Sequence, residues 1–262
     1  TIDAVVHITN TSKNKYQHYN LWDLFSGSTK SYPRVGMGSG VIVSPDGYLI
    51  TNNHVIENAG QIEVTTNDNR IFTAELIGTD PSSDIAVLKI IGDQSFPYVR
   101  FADSDQTRIG EWVLAVGNPF NLNSTVTAGI ISAKARDLNP YDATSQSFLQ
   151  TDAAVNSGNS GGALVNNDGD LIGINTAITS NGMGTFIGYS FAVPSNIAKK
   201  VIEDLMEFGN VQTAILGVRG GELNSAAAEN LEIANTEGFY ISEVTENSGA
   251  AKAGLKANDI II

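Results

Sequence analysis

Short runs of alternating apolar and polar residues dominate the chain between residues 38 and 193. Turn sequences interrupt these runs, among them Pro45-Asp46-Gly47, Thr66-Asn67-Asp68-Asn69 and Asn167-Asp168-Gly169. Alternation with a period of two indicates half-buried strands, and clusters of Gly, Asn, Asp and Pro indicate the turns between them. The pattern therefore predicts a mainly β region whose antiparallel strands close into barrels.

A helix is predicted where this strand-rich region ends. Apolar residues at helical spacing follow Pro194, namely Ile197, Val201, Ile202, Leu205 and Met206. Ser195 is the expected N-cap of this helix, and Gly209 is the residue expected to stop it. The helix is expected to complete a first domain at residues 1–209 and to leave residues 210–262 as a second one.

Composition narrows the classes of function. The chain has 262 residues, of which 28 are acidic and 15 basic, so its formal net charge of -13 disfavours contacts with nucleic acid. It has no cysteine, which excludes a thiol nucleophile, a disulfide framework and a thiolate metal site. Its three histidines are scattered and offer no pair at metal-ligand spacing. We expect neither a metal nor a cofactor. No apolar run approaches the roughly 20 residues that span a bilayer.

One serine is flanked by glycines on both sides, in Gly158-Asn159-Ser160-Gly161-Gly162. All three histidines, His7, His18 and His54, precede it. The string also fits the nucleophile elbow of α/β-hydrolases, but that fold takes its histidine from after the serine and follows the serine with a helix. Residues 163–174 instead indicate a strand, an Asp-Gly turn and another strand. An elbow is therefore excluded.

Candidate partners for Ser160 come earlier in the chain. His54 follows the apolar run that begins at Leu49, where a strand end can fix a side chain that still faces a cleft. Asp84 lies in a polar turn before the apolar run from Ile85, which is expected to bury its carboxylate beside the imidazole. The resulting order is His54, Asp84, Ser160, the chymotrypsin order. Asp46 is a rival acid, but its hairpin-turn sequence favours solvent as its neighbour.

Several strings between Gly38 and Ile262 resemble the HtrA/Deg family of ATP-independent serine proteases. They are Gly38-Ser39-Gly40-Val41-Ile42, Thr51-Asn52-Asn53-His54-Val55, Asp84-Ile85-Ala86-Val87-Leu88, Gly117-Asn118-Pro119-Phe120, Gln150-Thr151-Asp152-Ala153-Ala154 and the serine motif. The resemblance implies a chymotrypsin-like double antiparallel β-barrel followed by an incomplete PDZ domain. It also implies a periplasmic or otherwise extracytoplasmic endopeptidase that cleaves unfolded proteins. The alternative is a holdase or peptide-binding scaffold with little proteolysis.

The resemblance assigns further roles by position. Backbone N–H groups in the segment Gly158, Asn159, Ser160 are expected to form the oxyanion hole. An apolar substrate pocket would be lined by Val155, Ile187 and Tyr189, although Val155 and Ile187 are equally compatible with ordinary core packing. Arg136 corresponds to a sensor arginine of the activation loop, and Phe120 and Gln150 correspond to contacts that support the active loop. Arg136 is also compatible with a solvated surface pair with Asp137.

The segment after residue 210 resembles the first part of a PDZ domain. Leu216, Gly217 and Val218 would bind the terminal carboxylate of a peptide that adds a strand to the sheet. A folded remnant without a working groove is the alternative. The implied partners are unfolded polypeptides, activating peptides with a free C-terminus and further copies of the chain in a homotrimer or a multiple of trimers. Aromatic residues between Thr11 and Val35 suggest a contact surface, or they pack onto their own barrel.

Overall fold

The structure is a computed structural model that describes residues 1–17, 31–119, 124–136, 147–156, 158–176, 188–230, 233–234 and 236–262. The chain divides into two compact units, Thr1–Val211 and Gln212–Ile262. The first unit contains two closed barrels of six strands each. The predicted chymotrypsin-like double barrel is therefore confirmed.

The first barrel consists of β1 (Val5–Gln17), β2 (Ser31–Ile42), β3 (Tyr48–Asn52), β4 (Ala59–Thr65), β5 (Ile71–Asp80) and β6 (Ile85–Ile90), closed in the order β1-β2-β3-β6-β5-β4. A one-turn helix, α1 (Asn53–Ile56), follows β3. β-Branched and leucine side chains fill the interior, as in the paired residues Ile50 and Val87, which are both fully buried. The C-terminal end of β3 therefore connects α1 directly to a well-packed barrel.

The second barrel consists of β7 (Trp112–Gly117), β8 (Thr125–Arg136), β9 (Phe148–Thr151), β10 (Ala163–Val165), β11 (Leu171–Thr176) and β12 (Ser190–Pro194). Its closed order is β7-β8-β9-β12-β11-β10, the same connectivity as in the first barrel. The loop between β9 and β10 carries the glycine-flanked serine.

The predicted helix is α2 (Ser195–Phe208), and its C-terminal stop at Gly209, with φ of +73°, is confirmed. The prediction for its N-terminus is wrong by one residue, because Pro194 is the N-cap and Ser195 is already helical. The Ser195 hydroxyl instead donates to the Ala102 carbonyl at 2.8 Å, which ties the helix start to the preceding loop. Val201 and Leu205 are buried, whereas Met206 is half exposed.

The second unit contains β13 (Val218–Glu222), α3 (Ser225–Asn230), β14 (Phe239–Val244), α4 (Gly249–Ala253) and β15 (Ile260–Ile261). The strands form one sheet in the order β13-β14-β15. The assignment of this second unit as part of a PDZ domain stays a prediction. In the described residues of the chain, no helix combines the length and the apolar character needed to cross a membrane.

Candidate active site

His54 and Asp84 are joined by two hydrogen bonds at the end of the first barrel. The His54 ring Nδ1 lies 2.8 Å from Asp84 Oδ2, and the His54 backbone N–H donates to Oδ1 at 3.0 Å. Because a carboxylate only accepts, Nδ1 carries the proton and Nε2 is left as the basic nitrogen. The Asp84 side chain is 24% exposed, so the carboxylate lies beside the imidazole and is partly buried.

The backbone around Asp84 explains how the carboxylate reaches α1. Asp84 has a left-handed conformation with φ of +55°, which is uncommon for a residue with a side chain. Its carbonyl accepts from the backbone N–H of Asn53 and from Asn52 Nδ2, both at 3.0 Å. These two bonds fasten the acid-bearing turn to the residues immediately before His54. Strained backbone held by its surroundings is a recurrent property of functional sites.

The turn before Asp84 is stabilised by Asp80. Its two carboxylate oxygens accept hydrogen bonds from the hydroxyl and backbone N–H groups of Ser82 and Ser83, over 2.6–3.2 Å. Burial raises the pKa of Asp80, but the hydrogen bonds outweigh burial and hold the pKa below its usual value. Asp80 thus remains a carboxylate and fixes the turn that presents Asp84.

Thr176, at the end of β11, is a further residue of the site that no sequence pattern predicts. Its hydroxyl donates to Asp84 Oδ2 at 3.1 Å. The acid of the first barrel is therefore held partly by the second barrel. A threonine at a strand end is common, so no local sequence signal distinguishes this one.

Ser160 lies in a loop that is fastened to the first barrel. Its carbonyl accepts from the Ser39 backbone N–H at 2.8 Å, and its side chain is almost fully buried. Gly161 has φ of +83°, and a Cβ there would overlap the Ser39 carbonyl and the Thr51 hydroxyl. Only glycine fits so close an approach. The loop is thereby pressed against Thr51, three residues before His54.

Gly158 and Asn159, the other residues expected at the oxyanion hole, are fixed by separate contacts. The Gly158 carbonyl accepts from the Ser39 hydroxyl at 2.6 Å. The backbone N–H of Asn159 donates to the Asn156 carbonyl at 3.0 Å. The peptide between Gly158 and Asn159 is therefore held on both edges, next to a glycine whose φ is +100°.

The rival acid, Asp46, is engaged elsewhere. Its Oδ2 lies 2.6 Å from Lys89 Nζ, and its side chain is 59% exposed. Hydrogen bonds from Lys89 and then Ser44 lower the pKa of Asp46. The interpretation of Asp46 as a turn residue is the one that fits. Within the described residues, no group of three or more His, Asp or Glu side chains is arranged to hold a metal ion.

The residues predicted for the pocket and the activation loops are only partly described. Val155 is buried among the second-barrel core residues, and its backbone N–H donates to Ser190 Oγ at 3.0 Å. Tyr189 is 62% exposed. Gln150 lies in β9 and Arg136 is exposed at the end of β8. Ile187, Phe120 and Asp137 lie outside the described residues.

The predicted carboxylate-binding segment of the second unit is a tight turn before β13. Gly217 has φ of +79°, and its carbonyl accepts from the Thr245 backbone N–H at 2.8 Å. The Leu216 carbonyl accepts from Ala250 at 2.8 Å, at the start of α4. Val218 opens β13. Carbonyls of the segment are thus used internally, and its role in peptide binding remains a prediction.

Comparison with known proteins is consistent with this geometry. The trypsin-like peptidase domain matches residues 38–174. The chain is 49% identical over 227 residues to a probable periplasmic serine protease do/HhoA-like of Haemophilus influenzae, which covers 86% of the chain and 48% of that relative. It is 47% identical over 238 residues to the periplasmic serine endoprotease DegP of Escherichia coli K12, covering 90% of the chain and 50% of DegP. The chain thus spans about half the length of these curated relatives.

A solved structure extends the likeness to both units. The HtrA-type protease AlgW with tripeptide superimposes with a TM-score of 0.76 at 40% identity, over 99% of this chain and 78% of that one. The matched sequence domain, the double barrel and these relatives agree with one another. The chain belongs to the trypsin-like peptidase family, among its HtrA/Deg members.

Proposed function

We propose that the chain is an ATP-independent serine endopeptidase that cleaves unfolded polypeptides through an acyl-enzyme formed on Ser160. The observation that carries the proposal is the contact of 2.8 Å between His54 Nδ1 and Asp84 Oδ2. It leaves the basic His54 nitrogen available beside the strand end against which the Ser160 loop is pressed. A base held in this tautomer is what nucleophilic catalysis by a serine requires.

In the proposed reaction His54 Nε2 takes the Ser160 proton while Oγ attacks the peptide carbonyl. Asp84 stabilises the imidazolium that forms, and Thr176 shares the charge on Asp84 Oδ2 through its hydroxyl. His54 then protonates the leaving amine, and water releases the acyl group by the same route in reverse. The negative oxygen of the intermediate is stabilised by N–H groups of Gly158 and Ser160.

Protein quality control in an extracytoplasmic compartment is the role that the relatives support. DegP and the do/HhoA-like relative are named periplasmic proteases, and AlgW was solved with a tripeptide and with a decapeptide. We propose unfolded polypeptides as substrates, peptides with a free C-terminus as activators and a homotrimer or a multiple of trimers as the assembly. Val155, Ile187 and Tyr189 would form the substrate pocket, and Arg136, Phe120 and Gln150 would transmit activation.

Labelling with a fluorophosphonate and cleavage of unfolded casein test the proposal together. The parent chain should be labelled and should cut casein, and Ser160→Ala should abolish both while still binding casein. Thr107→Ala is a matched control, because Thr107 is a buried hydroxyl residue outside the site. Equal cleavage by the parent and Ser160→Ala would overturn the proposal. If the folded parent binds casein but is neither labelled nor able to cleave it, even with an activating peptide, the holdase alternative is favoured.

A further inference from the structure

His7 is a buried histidine that the proposed reaction does not use. It lies in β1 directly opposite Ser39 of β2, and only 3% of its surface is exposed. A buried imidazole on the wall of a barrel has lost most of its water, so its hydrogen bonds determine what it does.

The ring of His7 reaches the second barrel. Its Nδ1 lies 2.8 Å from the carbonyl oxygen of Asn118, the residue after β7. A carbonyl only accepts, so Nδ1 carries a proton and donates whether the ring is neutral or charged. The contact therefore persists in either protonation state of His7.

Asn118 continues the path towards the serine loop. Its backbone N–H donates to Ser39 Oγ at 2.8 Å, and Ser39 Oγ donates in turn to the Gly158 carbonyl at 2.6 Å. The hydroxyl of Ser39 has one proton, which the bond to Gly158 uses, so the bond from Asn118 orients it in that direction. The three contacts form a continuous chain from His7 to Gly158.

A second contact connects the same residues. The His7-bound carbonyl of Asn118 belongs to the peptide that enters Pro119, and Pro119 lies against Gly158, where an added Cβ would come within 2.7 Å of its ring. The peptide between Gly158 and Asn159 is also held, because the Asn159 backbone N–H donates to the Asn156 carbonyl. Fixing Asn118 thus fixes both the hydrogen-bond partner and the packing neighbour of Gly158.

We propose that His7 is a positioning residue for the oxyanion loop, acting on Gly158 through Asn118 and Ser39. The inference rests on the proposed function, since Gly158 matters as a donor to the reacting oxygen. An oxyanion donor is effective only when it is fixed before the charge develops. His7 provides that fixation from the first barrel, without touching the substrate.

The test measures phosphonylation of Ser160 by a fluorophosphonate, whose P=O oxygen takes the place of the reacting carbonyl oxygen. The maximal rate constant and the half-saturating concentration are determined separately. His7→Leu and His7→Met both remove the donor and retain bulk, and each should lower the maximal rate about 10- to 100-fold with little change in half-saturation. His7→Asn should restore most of the rate, because its Nδ2 stands as far along the side chain as histidine Nδ1.

Ser39→Ala supplies the second arm, since it removes the next link. It should lower the maximal rate similarly, and the double variant His7→Leu with Ser39→Ala should be no slower than the worse single variant, because both act through one path. Ile8→Val is the matched control: it alters a fully buried neighbour on β1 outside the path and should leave the rate within about twofold.

Several results would overturn the inference. They are a parental rate in folded His7→Leu or His7→Met, no recovery in His7→Asn, additive effects in the double variant, and an equal loss in Ile8→Val. If neither apolar variant folds, a parental rate in Ser39→Ala overturns it. Labelling of the parent that is lost in Ser160→Ala upholds the proposed function in all of these cases, so the two failures are distinguishable.

Discussion

Asp84 contacts His54 through both of its carboxylate oxygens, one bound to the ring Nδ1 at 2.8 Å and the other to the backbone N–H at 3.0 Å. The two bonds have different consequences. The backbone bond fastens the first turn of α1 to Asp84, whereas the ring bond sets which imidazole nitrogen carries the proton. A substitution that preserves the shape of Asp84 but not its charge acts mainly on the second.

Asp84→Asn should lower kcat on casein or a peptide by about 10⁴-fold while the protein stays folded, because an amide NH₂ facing Nδ1 moves the histidine proton to Nε2. Turnover normalised by active-site titration measures kcat, and thermal melting measures whether the protein stays folded. Asp46→Asn is the matched control, since it alters a carboxylate paired with Lys89 on an exposed turn and should cost less than about 1 kcal/mol. Comparable kcat values for Asp84→Asn and Asp46→Asn would contradict the role of Asp84.

Thr176→Val removes the hydroxyl that reaches Asp84 from the second barrel and leaves the side-chain shape nearly unchanged. We expect kcat to fall about tenfold and the free energy of unfolding to fall by about 1.5 to 3 kcal/mol, the usual cost of losing a hydrogen bond to a charged group. Thr176→Ser keeps the hydroxyl and should retain most of the activity. An inactive Thr176→Ser beside an active Thr176→Val would show that the methyl group, not the hydrogen bond, matters.

Gly161→Ala tests the close approach of the serine loop to the first barrel. Gly110 is a matched control, because it has nearly the same φ, +87° against +83°, but no atom of the described residues within 4 Å of an added Cβ. Gly110→Ala should cost about 1 to 2 kcal/mol for the left-handed backbone alone. Gly161→Ala should cost at least twice as much, lower Tm by about 10 °C and abolish fluorophosphonate labelling. Equal Tm values for the two variants would mean that the loop adapts without strain.

Local sequence patterns predicted the barrels and α2, because alternation and turn residues are local properties. The order of His54, Asp84 and Ser160 was predicted from residue types and their positions along the chain. The start of α2 was misplaced because Ser195 uses its hydroxyl on Ala102, a tertiary contact that competes with capping. Local patterns decide which elements form, and contacts from distant segments decide what individual side chains do.

The remaining parts of the site depend on such distant contacts. Thr176 and Asp84 are 92 positions apart, and Ser39 and Gly158 are 119 apart, so neither pair leaves a mark in a short window of sequence. The left-handed backbone of Asp84 is equally hidden, since aspartates adopt it more often than most residues but still only rarely, and nothing in the local sequence singles out this one. The chemistry was readable from residue types, but the groups that orient it were not.

The stability contributed by Asp80 should depend on pH. Its pKa is lowered in the folded protein from an ordinary value of 3.8, so its contribution is fully present above that value and is lost as pH falls through the lower folded pKa. The Tm difference between the parent and Asp80→Asn should be constant from pH 5 to 7 and shrink below about pH 4. Ser83→Ala, which removes one donor to Asp80, should show a smaller difference with the same pH dependence. A difference that grows on acidification would contradict the sign of this linkage.

A chain that ends at Val211 should fold and react with fluorophosphonate within about twofold of the parent rate, because the first unit retains both barrels and α2. A chain that ends at Pro194 should not fold. It lacks the buried side chains Val201, Ile202 and Leu205 of α2, whose burial stabilises the unit by roughly 5 to 9 kcal/mol. That is comparable to the whole stability of a typical domain, about 5 to 15 kcal/mol. Circular dichroism and melting of the two shortened chains decide the matter: a folded chain without α2 would mean that the barrels are self-sufficient, and an unfolded chain ending at Val211 would mean that the first unit needs the second.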